Sequence, residues 1–251
     1  MTPSMAGPPG TPKGEFLATV RRALGRDAVP PHPPYPRLED TLSGLEAEAA
    51  ALHRRLAENR TALMDRLARM AQLGGWNVYR SADYEEAAGY IKSLAASLGV
   101  EQVVRTGQEV FEQAPVDGAL RGLGLSVTTV AQGEASSRES LRQEILASGI
   151  GITGADYALA ETGSVVLLAR KGLGRLVSVV PPVHVALVRP QEVLETLDDF
   201  FLLRRLEYHR EGGEMGSYLN FITGPSCTAD IEQTLVVGVH GPKEVHLVLL
   251  E

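Results

Sequence analysis

Residues 76–106 read WNVYRSADYEEAAGYIKSLAASLGVEQVVRT, and the fold class turns on this stretch. WNVYR is short and rich in strand-forming residues, so it predicts a strand. SADYEEAAGYIKSLAASLG carries apolar residues at helical spacing, with Ser81 placed as N-cap and Gly99 as terminator. VEQVVRT predicts the next strand. Short apolar runs alternating with amphipathic helices are the pattern of a sheet covered by helices.

The alternation continues toward the C-terminus. LGLSVTTVA (123–131) predicts a strand, and SSRESLRQEILASG (136–149) a helix closing at Gly149. ADYALA (155–160) and SVVLLAR (164–170) predict two strands joined by a tight turn at Glu161, Thr162 and Gly163. HVALV (184–188) is a buried strand. VLETLDDFFLLRRLEYH (193–209) is an amphipathic helix opened by Pro190 and Gln191. LNFITG (219–224) leads into a short helix expected from about Ser226 to Val237, and EVHLVLLE (244–251) ends the chain as a strand.

Toward the N-terminus, apolar residues from Leu38 to Leu73 recur at helical spacing, as one long helix or two. Asn59 and Arg66 interrupt the heptad seam, which favours packing onto the domain over a free coiled coil. Prolines 30, 31, 33, 34 and 36 predict an extended spacer. A short helix precedes it, with Phe16, Leu17, Val20 and Leu24 on one side. Met1–Gly14 is rich in Pro and Gly and expected to be disordered. The expected organisation is therefore a flexible segment at 1–37 and a main domain at 38–251.

With 251 residues, 44% of them hydrophobic, a substantial core is expected. A formal net charge of −7 disfavours nucleic acid and anionic lipid as partners. Cys227 is the single cysteine, so neither a disulfide framework nor a self-contained iron–sulfur cluster is expected. The first residues lack the apolar core of a signal peptide, and no later run reaches about 18 apolar residues. A cytoplasmic protein without membrane insertion is the expectation.

Candidate chemistry concentrates in loops of the C-terminal half. GIGITG (149–154) has dinucleotide-type glycine spacing, but it follows a helix and precedes a strand, the reverse of a dinucleotide site. KGLGR (171–175) pairs two glycines with two cations after a strand, a composition suited to an anion or to an ordinary exposed connection with no helix start directly behind it. The six histidines show no short helical pair for zinc, so no metal site is expected. His184 reads as a hydrogen-bonded core residue.

TGPSCTADIEQTL (223–235) carries the strongest local signal. Gly224 and Pro225 end a strand, after which Ser226 and Thr228 offer hydroxyls at the expected helix start, as caps or as anion-binding groups. Asp230 follows in the first turn. The loop of His240, Gly241 and Pro242 is expected to return nearby. In AETGS (160–164), Thr162, Gly163 and Ser164 satisfy the turn. Glu161 is not needed for the turn and is a candidate general base or ligand carboxylate.

AETGS, PPVHVALV (181–188) and TGPSCTADIEQTLVVGVHGPKEVHLVLL (223–250) resemble the lactate-utilisation domain family, in its short protein C type, from about Leu38 onward. The resemblance implies a three-layer α/β fold with an open, mostly parallel sheet. That fold is similar to glucosamine-6-phosphate deaminase, ribose-5-phosphate isomerase and CoA-transferase folds. It implies a role in oxidising L-lactate to pyruvate, beside an iron–sulfur oxidoreductase subunit and a ferredoxin-like subunit. Iron–sulfur clusters are then expected only in those partners, with no redox cofactor in this chain.

The residues that would carry the site are Glu161 and Asp230 for catalysis. Thr162, Gly163, Ser164, Gly224, Pro225, Ser226, Thr228, His240, Gly241 and Pro242 would hold a small carboxylate or other anion, or form a docking surface. Two other readings remain open. One is a stand-alone enzyme on a phosphorylated sugar, a folate or a CoA ester; the other is a non-catalytic assembly module.

Overall fold

The computed structural model describes residues 13–25, 40–130, 138–168, 174–212, 218–229 and 235–251. Of the stretch expected to be disordered, Met1–Gly14, residues 1–12 lie outside them, as does the proline spacer at 30–36, and Lys13 and Gly14 are instead helical. The chain divides into two units, Met1–Asp40 and Thr41–Glu251. In the first, helix α1 (Lys13–Ala23) exposes the apolar set Phe16, Leu17, Val20 and Leu24.

The second unit opens with two helices, α2 (Leu42–Glu58) and α3 (Arg60–Leu73). Thr41 caps α2 by accepting from the Gly44 amide, and Leu45, Ala49, Leu52 and Leu56 form its buried stripe. The break falls at Asn59, whose side-chain amide donates to the Arg55 carbonyl. An Asn that bonds its own helix end offers the backbone an alternative to continuing.

Next come β1 (Asn77–Ser81), α4 (Tyr84–Leu98) and β2 (Gln102–Thr106), as the opening sequence predicts. One detail differs. Asp83, not Ser81, caps α4, because Ser81 is still the last strand residue and its hydroxyl donates to the Asp83 carbonyl. Helical turns α5 (Val110–Gln113) and α6 (Val116–Arg121) precede β3 (Ser126–Val130), α7 (Arg138–Ala147) and β4 (Ile150–Gly154). The remainder is β5 (Tyr157–Leu159), β6 (Ser164–Leu168), α8 (Leu176–Val179), β7 (Val183–Val188), β8 (Val193–Leu194), α9 (Leu197–Arg210), β9 (Leu219–Ile222), β10 (Cys227–Ala229), β11 (Leu235–Val237) and β12 (Glu244–Leu250).

Six strands make the main sheet in the order β1-β12-β7-β4-β2-β3, every neighbouring pair parallel. β4 and β7 are buried along their whole length, as central strands covered on both faces must be. One face packs Val103, Ile150 and Ile152 against Ile91 of α4 and Leu120 of α6. The other sets Ala186, Leu247 and Leu249 toward Leu67 of α3, Phe200 of α9 and a second sheet, β8-β5-β6-β9. Its β5–β6 hairpin is the one the sequence predicts, whereas the outer pairings β5–β8 and β6–β9 are not visible in the strand and helix alternation, because they join segments distant in sequence.

Two expected helices are corrected. Pro190 opens only a 3₁₀ turn, Pro190–Glu192; Val193 and Leu194 are then drawn into β8 by pairing with β5. α9 starts later, where Thr196 and Asp199 satisfy each other's amides. The helix expected from Ser226 to Val237 is absent at its described ends: Cys227 pairs with Val237 and Thr228 with Val236 in an antiparallel hairpin. Thr and Val favour the pleated backbone there, and the ladder satisfies amides that a lone helical turn would leave open.

Candidate functional site

Loops from four places in the sequence meet at the N-terminal edge of the main sheet. The turn of the β5–β6 hairpin presses on the end of α3: a Cβ on Gly163 would lie 2.3 Å from the Ala71 nitrogen, and Gly163 has φ +69°. Only glycine meets both demands. Thr162 Oγ1 and Ser164 Oγ are 2.8 Å apart, and Ser164 Oγ is 2.8 Å from Thr223 Oγ1. Gly224 sits against the end of α3 so closely that a Cβ would be 2.0 Å from the Gly74 carbonyl oxygen.

From there the Ser226 amide donates to the Pro242 carbonyl, and the Gly238 amide donates to the Ser226 carbonyl. The Lys243 amide donates to the Pro182 carbonyl at the start of β7. Thr162, Gly163, Ser164, Gly224, Pro225, Ser226, Gly241 and Pro242 are thus brought to one edge. Thr228 lies on β10, in the hairpin rather than at a helix start, and His240 is exposed on the adjoining loop. Asp230 lies outside the described residues.

Glu161 is turned to another task. Its Oε1 accepts from the Leu197 amide at 2.6 Å, at the first residue of α9. A carboxylate there satisfies an orphan N–H and meets the positive end of the helix dipole. The bonds at this edge join loop to loop.

His184 lies fully buried at the sheet centre, with Nε2 2.9 Å from Thr153 Oγ1. Burial pushes its pKa down to about 3, so the imidazole is neutral at pH 7. Its Nδ1 and the indole Nε1 of Trp76, whose ring centroid is 6.0 Å away, have no hydrogen-bond partner among the described residues.

The opposite, C-terminal edge carries a shallow, narrow cleft. Thr106 ends β2, and Asp156 follows the end of β4 by two residues. These strands are neighbours, but β3 lies beyond β2 on one side and β7 beyond β4 on the other. Strand order reverses between them, and open parallel sheets leave a ligand crevice at such a point. Gln108, Arg175, Tyr218 and Asn220 complete the polar lining, with Leu167 and Leu168 as apolar wall. Lys171 to Leu173 lie outside the described residues, but Gly174 and Arg175 of the KGLGR segment border the cleft. The turn α8 follows Arg175 directly, contrary to expectation; it is four residues long.

Among the described residues no group of three or more His, Cys, Asp or Glu is placed to hold a metal ion. None of their helices is long and apolar enough to cross a membrane.

The family model named LUD domain matches residues 64–250. This chain belongs to the LUD domain family. Its LUD domain takes in both edges of the sheet. The chain is 34% identical over 171 residues to a protein of Bacillus pumilus named lactate utilization protein C, covering 66% of this chain and 70% of that protein. It is 25% identical over 235 residues to lactate utilization protein B of Shouchella clausii, covering 75% of this chain and about half, 48%, of that protein. Among solved structures, a DUF162 family protein from Deinococcus radiodurans superposes with a TM-score of 0.50 at 19% identity, covering 76% of this chain and 98% of that one. That likeness supports the fold of the LUD domain.

Sequence reasoning found the N-terminal edge of the LUD domain and overlooked most of the C-terminal cleft. Arg175 had a signal in KGLGR. Thr106, Gln108, Tyr218 and Asn220 had none, since each is an ordinary polar residue near the end of a strand and only the strand order brings them together.

Proposed function

We propose that this LUD domain protein is a component of an L-lactate utilisation system, serving oxidation of L-lactate to pyruvate in the cytoplasm. It works beside an iron–sulfur oxidoreductase subunit and a ferredoxin-like subunit, which hold the clusters. The observation that carries the proposal is sequence kinship to relatives named lactate utilization proteins B and C. Cys227 is the chain's single cysteine, and a cluster takes four ligands, usually cysteines, so electrons would travel through the partners.

In this proposal the N-terminal edge is the contact surface. The β10–β11 hairpin and the loop behind it expose Val236, Val237 and Val239, beside the exposed His240. Apolar side chains gathered on a surface hairpin favour protein contact. Thr162, Ser164, Gly224, Pro225, Ser226, Gly241 and Pro242 hold that surface in shape, while Thr228 and His240 are proposed to meet the partner.

The experiment is lactate-dependent dye reduction by the reconstituted partner subunits, with and without this chain. Reduction that rises when the chain is added supports the proposal. Unchanged reduction without it removes the proposal.

A further inference from the structure

A second cleft, of about 440 Å³, opens among α2, the start of α3, β8 and α9. That volume is within the range of small-molecule sites. Its floor is apolar: Leu56 of α2, Leu194 of β8, and Leu203 and Leu206 of α9 line it from their places in the core. Covering such a floor favours a ligand that brings apolar surface of its own.

Polar groups ring the floor, and most are committed within the protein. The Tyr157 hydroxyl donates to Glu207 Oε1 at 2.8 Å, and Arg204 donates to Glu207 Oε2. Burial, and then the Glu207 carboxylate, raise the Tyr157 pKa above its ordinary value, so the phenol stays protonated and holds that carboxylate. Arg210 donates to Glu46 at 3.1 Å. These charges are matched.

Arg60 is the exception. It is the first residue of α3, half-buried, and donates to the neutral Pro190 carbonyl. It makes no ion pair with a carboxylate among the described residues, and one carbonyl leaves most of the guanidinium N–H groups open. His53 and Gln191, both exposed, add donors at the mouth. One unmatched cation beside a leucine floor calls for one negative charge on an apolar body. Inorganic phosphate has no apolar part to cover the leucines, and a three-carbon acid has too little.

We infer that the cleft between α2 and α9 binds a medium-chain monocarboxylate, its carboxylate on Arg60 and its hydrocarbon chain over Leu194, Leu203 and Leu206. Arginine meets a carboxylate through paired N–H groups, which fixes that end of the ligand. The inference does not rest on the lactate proposal: none of the residues lining this cleft belongs to the proposed contact surface, and it selects a longer acid than lactate.

The test is calorimetric titration of the full chain with butyrate, hexanoate and octanoate, with 1-octanol and L-lactate as controls. It is repeated on Arg60→Gln, Arg60→Lys and Gln191→Glu, each checked for folding by circular dichroism. Gln191 is exposed and follows Pro190, so Gln191→Glu sets a carboxylate near Arg60 without altering the core. The expected result is one octanoate per chain, with affinity rising about two- to fourfold for each added methylene. Octanol and L-lactate should bind at least about fivefold more weakly than octanoate, and Arg60→Gln and Gln191→Glu should each lose at least about fivefold in octanoate affinity. Arg60→Lys keeps the charge and should lose less. If Arg60→Gln unfolds, Gln191→Glu decides. Octanoate binding that does not saturate at one per chain, affinity independent of chain length, octanol or L-lactate binding as tightly as octanoate, or wild-type affinity in folded Arg60→Gln or Gln191→Glu would overturn the inference.

Discussion

Ser164 Oγ lies 2.8 Å from Thr223 Oγ1, and this contact joins the β5–β6 turn to the loop that leaves β9. Ser164 is buried, so its hydroxyl depends on protein partners, and the bond ties two segments 59 residues apart.

Ser164→Ala leaves Thr162 and Thr223 without their shared partner and should lower stability by about 1–2 kcal/mol. Thr223→Val should do the same within a similar range. The double variant should lose less than the sum, with a coupling of about 0.5–1 kcal/mol in urea denaturation. Strict additivity would mean that the two hydroxyls do not support each other.

Gly163 has no tolerated replacement. Alanine would sit at φ +69° with its Cβ 2.3 Å from the Ala71 nitrogen, so either the turn or α3 must move. A loss of about 2–4 kcal/mol is expected for Gly163→Ala, read as a lowered denaturation midpoint. A wild-type midpoint would show that the turn does not bear on α3.

Glu161 is predicted to act on stability before chemistry. Glu161→Ala removes the acceptor of the Leu197 amide and should destabilise by about 0.5–2 kcal/mol, whereas Glu161→Gln keeps an acceptor oxygen and should lose less. Lactate-dependent turnover of the reconstituted system should stay near wild type in Glu161→Gln. If that variant is fully folded and inactive, the carboxylate is a base after all.

His184 sets an acid limit on the fold. Its folded pKa, about 3, lies below its unfolded value near 6.5, so between those pH values the unfolded chain binds the extra proton. Stability from this group is complete above about pH 6.5 and falls as pH drops toward 3, at up to about 1.4 kcal/mol per pH unit. Chemical denaturation at pH 7, 6, 5 and 4 should show a shallower acid slope in His184→Gln than in wild type. Equal slopes would remove His184 as the cause.

The main sheet was legible because its strands carry their own local signals. WNVYR, VEQVVRT and HVALV are short apolar runs bounded by turns, and the helices between them show a buried stripe and a cap. Burial is a property of spacing, and spacing is written in the chain. The errors came at segments whose state is decided by a partner. The pattern of Val193 and Leu194 continues that of α9, but β5 offers them a strand to pair with. Cys227–Ala229 look like a helix start until Leu235–Val237 return beside them.

The candidate site divides along the same line. Residue types suited to tight turns and close backbone contact, such as Gly163 and Gly224, announced the N-terminal edge, and the structure brings those loops together. Their purpose was less visible. Whether Glu161 meets a ligand or the Leu197 amide depends on where α9 begins, and that depends on the capping of Thr196 by Asp199.

By itself, the sequence determined that this chain buries an apolar core under alternating strands and helices, and that its family is the LUD domain family. Periodicity and local motifs suffice for that, since they act over a few residues. Tertiary structure alone decided that β2 and β4 lie side by side and that Thr106, Asp156, Arg175 and Asn220 face one cleft. Strand order is set by packing between segments far apart in the chain, and no local pattern records which of two equally apolar strands will be the neighbour.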